Sequence, residues 1–374
     1  MRGFVCLPLA TFLFFMTFIF SNASCVSGDD DEETNLPADH GDDTEPEPAD
    51  DTEGEPLGLT EAVPSSGGAS VSTPVTLHGS GFEEGLIVTV GGVEAESVRV
   101  ESSSSAFVVF PPVPLTDLGK KNVRVVLGSE AASLHDGFEY TFDEDPIVFV
   151  HGYMVSSWEW DTMIGRFRDI GYPEEYLAAI TFTSSLQSNV INARDELPGF
   201  VDEVLARTGA EKVDIIAHSA GGISSRLWIK LYGGGEKVRD YVSLSGTHHG
   251  TIMACFIPWL GQSSAETCPP YASESQSVND VQWLLNGNPD TDDVDETPFG
   301  VEDGGGIYWN AFWTDGDIID VPPTTCCLNQ KFRNDCSDPI NVKFHGIGHI
   351  EMAYDADVFQ AAMEKVRAHN KNKP

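Results

Sequence analysis

Basic residues are scarce in this chain of 374: 21 Lys and Arg stand against 59 Asp and Glu, for a formal net charge of −38 at pH 7. Affinity for nucleic-acid phosphates rests on Lys and Arg, so nucleic acid is excluded as a partner. Cysteine is sparse as well, with seven in all and no CxxC pair, which disfavours a zinc site. The 36 Gly and 22 Pro follow no period, and this rules out a collagen-like or low-complexity chain. What remains is 41% hydrophobic and long enough for two domains.

The uneven distribution of charge marks the boundaries. Residues 29–56 hold 14 acids, no Lys or Arg, and Pro37, Pro46, Pro48 and Pro56. Such a stretch buries too little apolar area to offset its ordering entropy, so residues 26–56 are expected to be a disordered, self-repelling acidic linker. Residues 57–143 carry 11 acids and 4 bases, and residues 144–374 carry 34 and 16. The latter segment is large enough for a sizeable core.

Residues 1–25 read as an export signal, in which Arg2 precedes an uncharged apolar run from Phe4 to Phe20 and then the small residues of Ser21-Asn22-Ala23-Ser24-Cys25. A retained anchor is the plainer alternative. Cleavage after Ala23 would release the protein. Ala23-Ser24-Cys25 also resembles the end of a bacterial lipoprotein signal, which implies lipidation of Cys25 and membrane association through the N-terminus. Asn22 departs from the Leu that such signals prefer, whereas the acidic linker suits a tether, and lipidation is the favoured reading. Either way the protein is exported, to the outer cell surface or beyond. Export makes disulfides expected: Cys255 with Cys268, and Cys326 or Cys327 with Cys336, are the short closures, leaving one thiol over.

Residues 57–143 show short β-rich runs at Ser72–Leu77, Leu86–Val90, Ser97–Val100, Ala106–Phe110, Lys121–Leu127 and Gly137–Phe142, punctuated by Gly79-Ser80-Gly81-Phe82 and Gly91-Gly92. An all-β sandwich is expected. Pro64 with Gly67-Gly68, Val75 to Phe82, Val88 to Gly92, Phe110-Pro111-Pro112 and Gly137 to Tyr140 together resemble the IPT/TIG immunoglobulin-like family. That resemblance implies a spacer or a binding module without catalysis.

From residue 146 strands alternate with helices. Pro146–Val150 ends in His151-Gly152, Lys212–Ala217 runs into Ala217-His218-Ser219-Ala220-Gly221, Ile223–Leu231 has helical spacing, and Asp240–Leu244 is again a strand. An α/β fold with a mostly parallel sheet flanked by helices follows. Strand, tight turn, helix is the context in which G-x-S-x-G exposes a serine above such a sheet, here with Ala217 in the first place. Asp317 follows the run Ile307–Trp313, and Gly348-His349 follows Ile340–Phe344. The order Ser, Asp, His is that of α/β hydrolases. Taken alone, Ser219 would pass as a helix N-cap.

Val148 to Gly152, Val213 to Gly222, Gly246-Thr247-His248-His249-Gly250, Leu284 to Gly287, Glu296-Thr297-Pro298, Asp317 with Val321-Pro322, and Val342 to His349 resemble the class 2 lipases, α/β-hydrolase triacylglycerol lipases and their esterase relatives. The resemblance implies Ser219 as nucleophile, His349 as base and then acid, Asp317 as its orienting carboxylate, and the Tyr153 and Ala220 amides as oxyanion hole. His345 competes weakly with His349, and Asp315 and Asp320 compete with Asp317. His218, His248 and His249 read as structural.

Phe256-Ile257-Pro258-Trp259-Leu260 suits a lid or acyl-binding wall, or else a plain stapled loop. Asp290, Asp292, Asp293 and Asp295 lack EF-hand spacing, and no metal or cofactor is expected. The expected function is an exported serine carboxylic ester hydrolase acting on lipid or other, including polymeric, esters. A polyesterase or polyhydroxyalkanoate depolymerase whose β module binds polymer is the alternative, and a non-catalytic surface-binding protein the one from another class. The excess of acids favours the imidazolium of His349, so activity should rise through neutrality, with an acidic limb that salt moves to lower pH.

Overall fold

A computed structural model describes residues 55–269, 280–287, 296, 306–328 and 336–369. The export signal, Cys25, nearly all of the acidic linker and the Asp290 to Asp295 segment lie outside them.

The first part is a two-sheet sandwich. Strands β1 (Gly58–Val63), β2 (Ser66–Gly68), β3 (Thr73–Ser80), β4 (Ile87–Val90), β5 (Val93–Glu94), β6 (Ser97–Ser102), β7 (Ser105–Phe110), β8 (Gly119–Leu127) and β9 (Glu130–Thr141) form sheets ordered β1-β3-β7-β6 and β2-β9-β8-β4-β5. Alternation places Val75, Leu77, Val108, Phe110, Val123 and Val125 inside, as period-2 side chains require. Phe138 meets both Phe110 and Tyr140 edge to face. The sequence reading missed β1, β2 and β5 and placed the last strand at Gly137–Phe142, whereas β9 begins at Glu130. Those stretches carry mostly exposed residues and hold their places by backbone pairing, so they lack the alternation that marks a half-buried strand.

The second part is a six-stranded sheet, entirely parallel, ordered β11-β10-β12-β13-β14-β15. Its strands are β10 (Ile147–Val150), β11 (Leu177–Ala179), β12 (Val213–His218), β13 (Val238–Leu244), β14 (Tyr308–Thr314) and β15 (Asn341–Phe344). Every residue of β10 and β12 is buried, which is why β10 reads as an unbroken apolar run and β12 as one broken only by Asp214 and the closing His218. Helices α1 (Asp161–Asp169), α2 (Asn189–Ile191), α3 (Leu197–Thr208), α4 (Gly221–Leu231), α5 (Ile252–Cys255), α6 (Gln262–Thr267), α7 (Asp280–Asn286) and α8 (Ala356–Val366) connect and flank it. Local chemistry sets their ends: Asp355 caps α8 by accepting from the amides of Asp357 and Val358, and Gly209, at φ 71°, closes α3.

The two parts share one hydrophobic core. At the junction Phe142 packs edge to face on Tyr172, with ring centroids 5.3 Å apart, and on Tyr176. Gly171 lies so close to the Leu115 backbone that a Cβ there would come within 2.6 Å of it. Polar ties add to this: the Ser70 amide donates to Asp143, and Arg367 and Arg239 pair with the buried Glu144 and Asp145. All of this gathers at the N-terminal ends of β10 and β13. A fragment beginning at Asp143 loses the partners of Tyr172 and Gly171 and should be less stable by about 2–4 kcal/mol, one or two large apolar side chains' worth. A thermal scan measures this. The same fragment, once folded, should keep its rate on a soluble ester, and a folded but inactive fragment would show that the sandwich helps build the site.

Candidate active site

Strand β12 delivers the turn that holds Ser219. Ser219 follows it at φ 53°, in the left-handed region, a conformation that costs a non-glycine residue about 1–3 kcal/mol and persists only where the surroundings impose it. They do so here: the Ser219 amide donates to Leu244 O at 3.1 Å, and Ser219 O accepts from Gly222 and Thr247 at 3.0 and 3.2 Å. Glycine is needed at 221 because a Cβ would stand 2.4 Å from Val150 O. The turn is thus pressed against the end of β10, and Gly152 lies directly beside Ser219, where a Cβ would reach within 2.8 Å of the serine Cβ.

The expected base follows another strand of the same sheet. His349, after β15, is buried, and its Nδ1 lies 2.8 Å from Asp317 Oδ2, after β14. The carboxylate can only accept, so Nδ1 carries the proton and Nε2 is left as the basic nitrogen. Asp317 Oδ1 accepts from the amides of Ile319 and Asp320 at 2.9 and 2.8 Å. Burial pushes the Asp317 carboxyl up, but the hydrogen bond and charge of His349 and these two amides outweigh it and hold the group below the ordinary aspartate value. No hydrogen bond joins Ser219 Oγ to His349 Nε2 among the described residues. Such contacts are commonly long when no substrate is bound.

Tyr153 and Ala220 line one small recess with His151, Gly152, Asn189 and Ser224. Among the described residues neither the Tyr153 nor the Ala220 amide donates to a protein acceptor, which leaves both for a ligand. His151 is fixed as the neutral Nδ1–H tautomer: Nε2 accepts from the Phe182 amide at 3.2 Å while Nδ1 donates to Gly152 O at 2.8 Å. Burial lowers its pKa accordingly.

The competing residues fall elsewhere. His345 is exposed and pairs with Asp315 at 2.7 Å, apart from the His349–Asp317 pair. His248 is buried against Ser243, and His249 meets Glu296. Asp320, unlike Asp315, lies beside His349, with Oδ2 3.6 Å from its Nδ1. Burial first, then the neighbouring Asp317 charge, pushes its carboxyl up to about 6. The thiol of Cys326 donates to Asp320 at 3.1 Å. Asp317, Asp320 and Cys326 bring ligand atoms within 4.8 Å of one another, but each is already engaged with its neighbours or with His349, and the cluster reads as a hydrogen-bonded support of His349. Cys255–Cys268 and Cys327–Cys336 are bridged and Cys326 is free. Spacing alone had left Cys326 and Cys327 equivalent.

Residues 144–269 match the family model for class 2 lipases, and residues 58–142 match that of the IPT/TIG domain. The chain carries a class 2 lipase domain behind an IPT/TIG domain. A triacylglycerol lipase of Vibrio cholerae serotype O1 is 26% identical over 196 residues, which span 50% of this chain and 58% of that relative. Among solved structures, the mature Bacillus licheniformis lipase BlEst2 is 17% identical with a TM-score of 0.42, covering 60% of this chain and 92% of its own. Carboxylesterase CesB of Bacillus subtilis is 12% identical with a TM-score of 0.36, covering 66% and 88%.

One part of the lipase domain's site escaped the sequence reading. Glu159, in the Ser157–Trp160 turn, is buried and lies 2.7 Å from His218 Nδ1. A lone acid within Ser-Trp-Glu-Trp carries no sequence signal of burial, and its partner is 59 residues away.

Proposed function

We propose that the lipase domain is an exported serine carboxylic ester hydrolase. Ser219 Oγ attacks the ester carbonyl as His349 Nε2 takes its proton, and the oxyanion is received by the Tyr153 and Ala220 amides. Collapse expels the alcohol with that proton and leaves an acyl-enzyme on Ser219, which water hydrolyses by the same relay. The observation that carries this reading is the buried His349–Asp317 pair at the sheet edge that holds Ser219 in a strained turn. An apolar acyl substrate is supported by the large side chains flanking these residues: Met154, Ile318 and Ile350 are 65%, 80% and 56% exposed beside Tyr153, Asp317 and His349. Trp259, 75% exposed, belongs to the disulfide-stapled segment that Tyr153 joins through a 2.6 Å hydrogen bond to Leu260 O. The test is a panel of p-nitrophenyl esters, triglyceride emulsion and polyester film with wild type and Ser219→Ala. Hydrolysis that survives Ser219→Ala would defeat the mechanism.

Two disulfides agree with export, since such bonds persist in oxidising compartments. For the anchor, membrane fractionation of wild type against Cys25→Ala decides, and identical partitioning would refute lipidation.

The pH dependence follows from the site. Burial pulls the His349 imidazole down, but the Asp320 charge, the hydrogen bond and charge of Asp317, and the Glu159 charge outweigh it and raise the group above the ordinary 6.5. Only the neutral imidazole accepts the serine proton, so kcat/KM should fall as pH drops through a midpoint above 6.5. The groups that raise it are buried neighbours, not the surface acids, and buried pairs are little screened. The expected salt-sensitive limb therefore gives way to one that stays in place between low and high salt. A limb that moves by a full pH unit with salt would restore the surface explanation.

A further inference from the structure

Glu159 and His218 are both buried, and neither belongs to the Ser219–His349–Asp317 set. Their hydrogen bonds reach three separate pieces of the site. Glu159 Oε1 meets His218 Nδ1 at 2.7 Å, and Glu159 Oε2 accepts the Gly152 amide at 3.2 Å. His218 Nε2 lies 3.0 Å from the carbonyl oxygen of His349. A carbonyl oxygen can only accept, so Nε2 is protonated, and Nδ1 faces a carboxylate. The His218 and His349 rings also pack with centroids 4.9 Å apart, and Trp160 closes the other side.

We infer that Glu159 and His218 form a positioning clamp, which ties the oxyanion loop at Gly152 and the backbone of His349 to the residue preceding Ser219. The inference rests on the acyl-transfer reading above. Its physical basis is that the oxyanion donors follow β10 and β12 while the base follows β15, three strands beyond β12 in the sheet, so small errors accumulate between them. A misplacement of about 1 Å costs up to roughly 100-fold in rate. A single carboxylate–imidazole pair bonded to the β10 loop, to the end of β12 and to the base's own backbone removes that freedom. Burial pushes the Glu159 carboxyl up, yet the charge and hydrogen bond of His218 and the Gly152 amide hold it below its ordinary value.

The experiment uses the full chain, a short-chain p-nitrophenyl ester, and titration of reactive serines with a p-nitrophenyl phosphonate. Glu159→Ala should lower kcat per titrated site by about 10- to 100-fold with KM within about twofold. Glu159→Gln keeps both arms, accepting from Gly152 with its carbonyl and donating to a neutral His218 Nδ1, and should recover to within about threefold of wild type. If Glu159→Ala does not fold, His218→Asn, which keeps a donor toward Glu159 and releases the His349 carbonyl, should show the same fall. His218→Gln, which keeps the reach to that carbonyl, should show less. The clamp is overturned if Glu159→Ala turns over like wild type, if Gln is as depressed as Ala, or if the lost rate matches lost titratable sites. Wild-type protein without Ser219-dependent turnover would defeat the acyl-transfer reading itself, whereas Ser219-dependent turnover left intact by Glu159→Ala defeats only the clamp.

Discussion

Ser219→Ala should lower kcat on a soluble ester by on the order of 10⁴- to 10⁶-fold, with the fold intact, and His349→Ala should cost nearly as much. Removing the hydroxyl removes the only atom on which the acyl group can form, and removing the imidazole leaves a hydroxyl far too weakly acidic to attack unaided. Asp317→Asn should cost less, though still some thousandfold, because an amide at 317 can favour the wrong imidazole tautomer. Asp320, 3.6 Å from the same nitrogen, supplies a second negative charge but not the same line of approach. The three losses should not add, since each step of the relay needs the others. Rates for the single and double variants, normalised to folded protein, give the answer. Additive losses would mean that the residues act independently, and a wild-type rate in His349→Ala would shift the base elsewhere.

Arg226→Leu should cost about 3–5 kcal/mol of stability, the range for breaking a buried charged network from one side. Arg226 lies on α4, the helix that follows the Ser219 turn, and is fully buried. Its guanidinium donates to His248 O and Leu285 O, each at 3.3 Å, and to Asn286 Oδ1 at 2.9 Å, while Asn286 Nδ2 donates to His248 O at 2.8 Å. Burial pulls the guanidinium down from its ordinary value, and the charge of buried Glu296 favours its protonated form. Leucine would leave that carboxylate without the cation and strip two carbonyls of a donor. Lysine at 226 should not restore the loss, because a point charge cannot reach three acceptors in a planar fork. Denaturant midpoints at unchanged slope measure the effect. A change under about 1 kcal/mol would show that the network contributes little to holding α7 on α4. Turnover per folded molecule should change far less than stability, since Arg226 touches none of the reacting atoms.

The Ser219 turn was legible because its demands are contiguous: a buried, mainly apolar strand, a serine forced to positive φ, and a glycine two residues on with no room for a Cβ all fall within nine residues. Asp317 and His349 were singled out by chain order, by the strand that precedes each and by the resemblance to class 2 lipases, which is enough to bring them to one sheet edge but not to show that Asp320 would lie beside them. Glu159 was illegible for a different reason. Its burial is imposed by a partner remote in sequence, and a single acid between two tryptophans has the pattern of an exposed turn. The three-residue β11 and the largely exposed β1 were missed because pairing places them, and pairing leaves no period in the side chains. The choice of Cys327 over Cys326 likewise depends on where the chain sits after β14, since neighbouring cysteines offer the same loop length.

The junction between the two parts bears on which way the enzyme faces. Phe142, Tyr172 and Glu144 gather where the parallel strands begin, whereas Ser219, Asp317 and His349 all follow the points where strands end. The sandwich is therefore mounted on the back of the lipase domain. A polymer gripped by the sandwich would have to pass around the molecule to reach the serine, so the mounting suits a pedestal better than a hand that feeds the site.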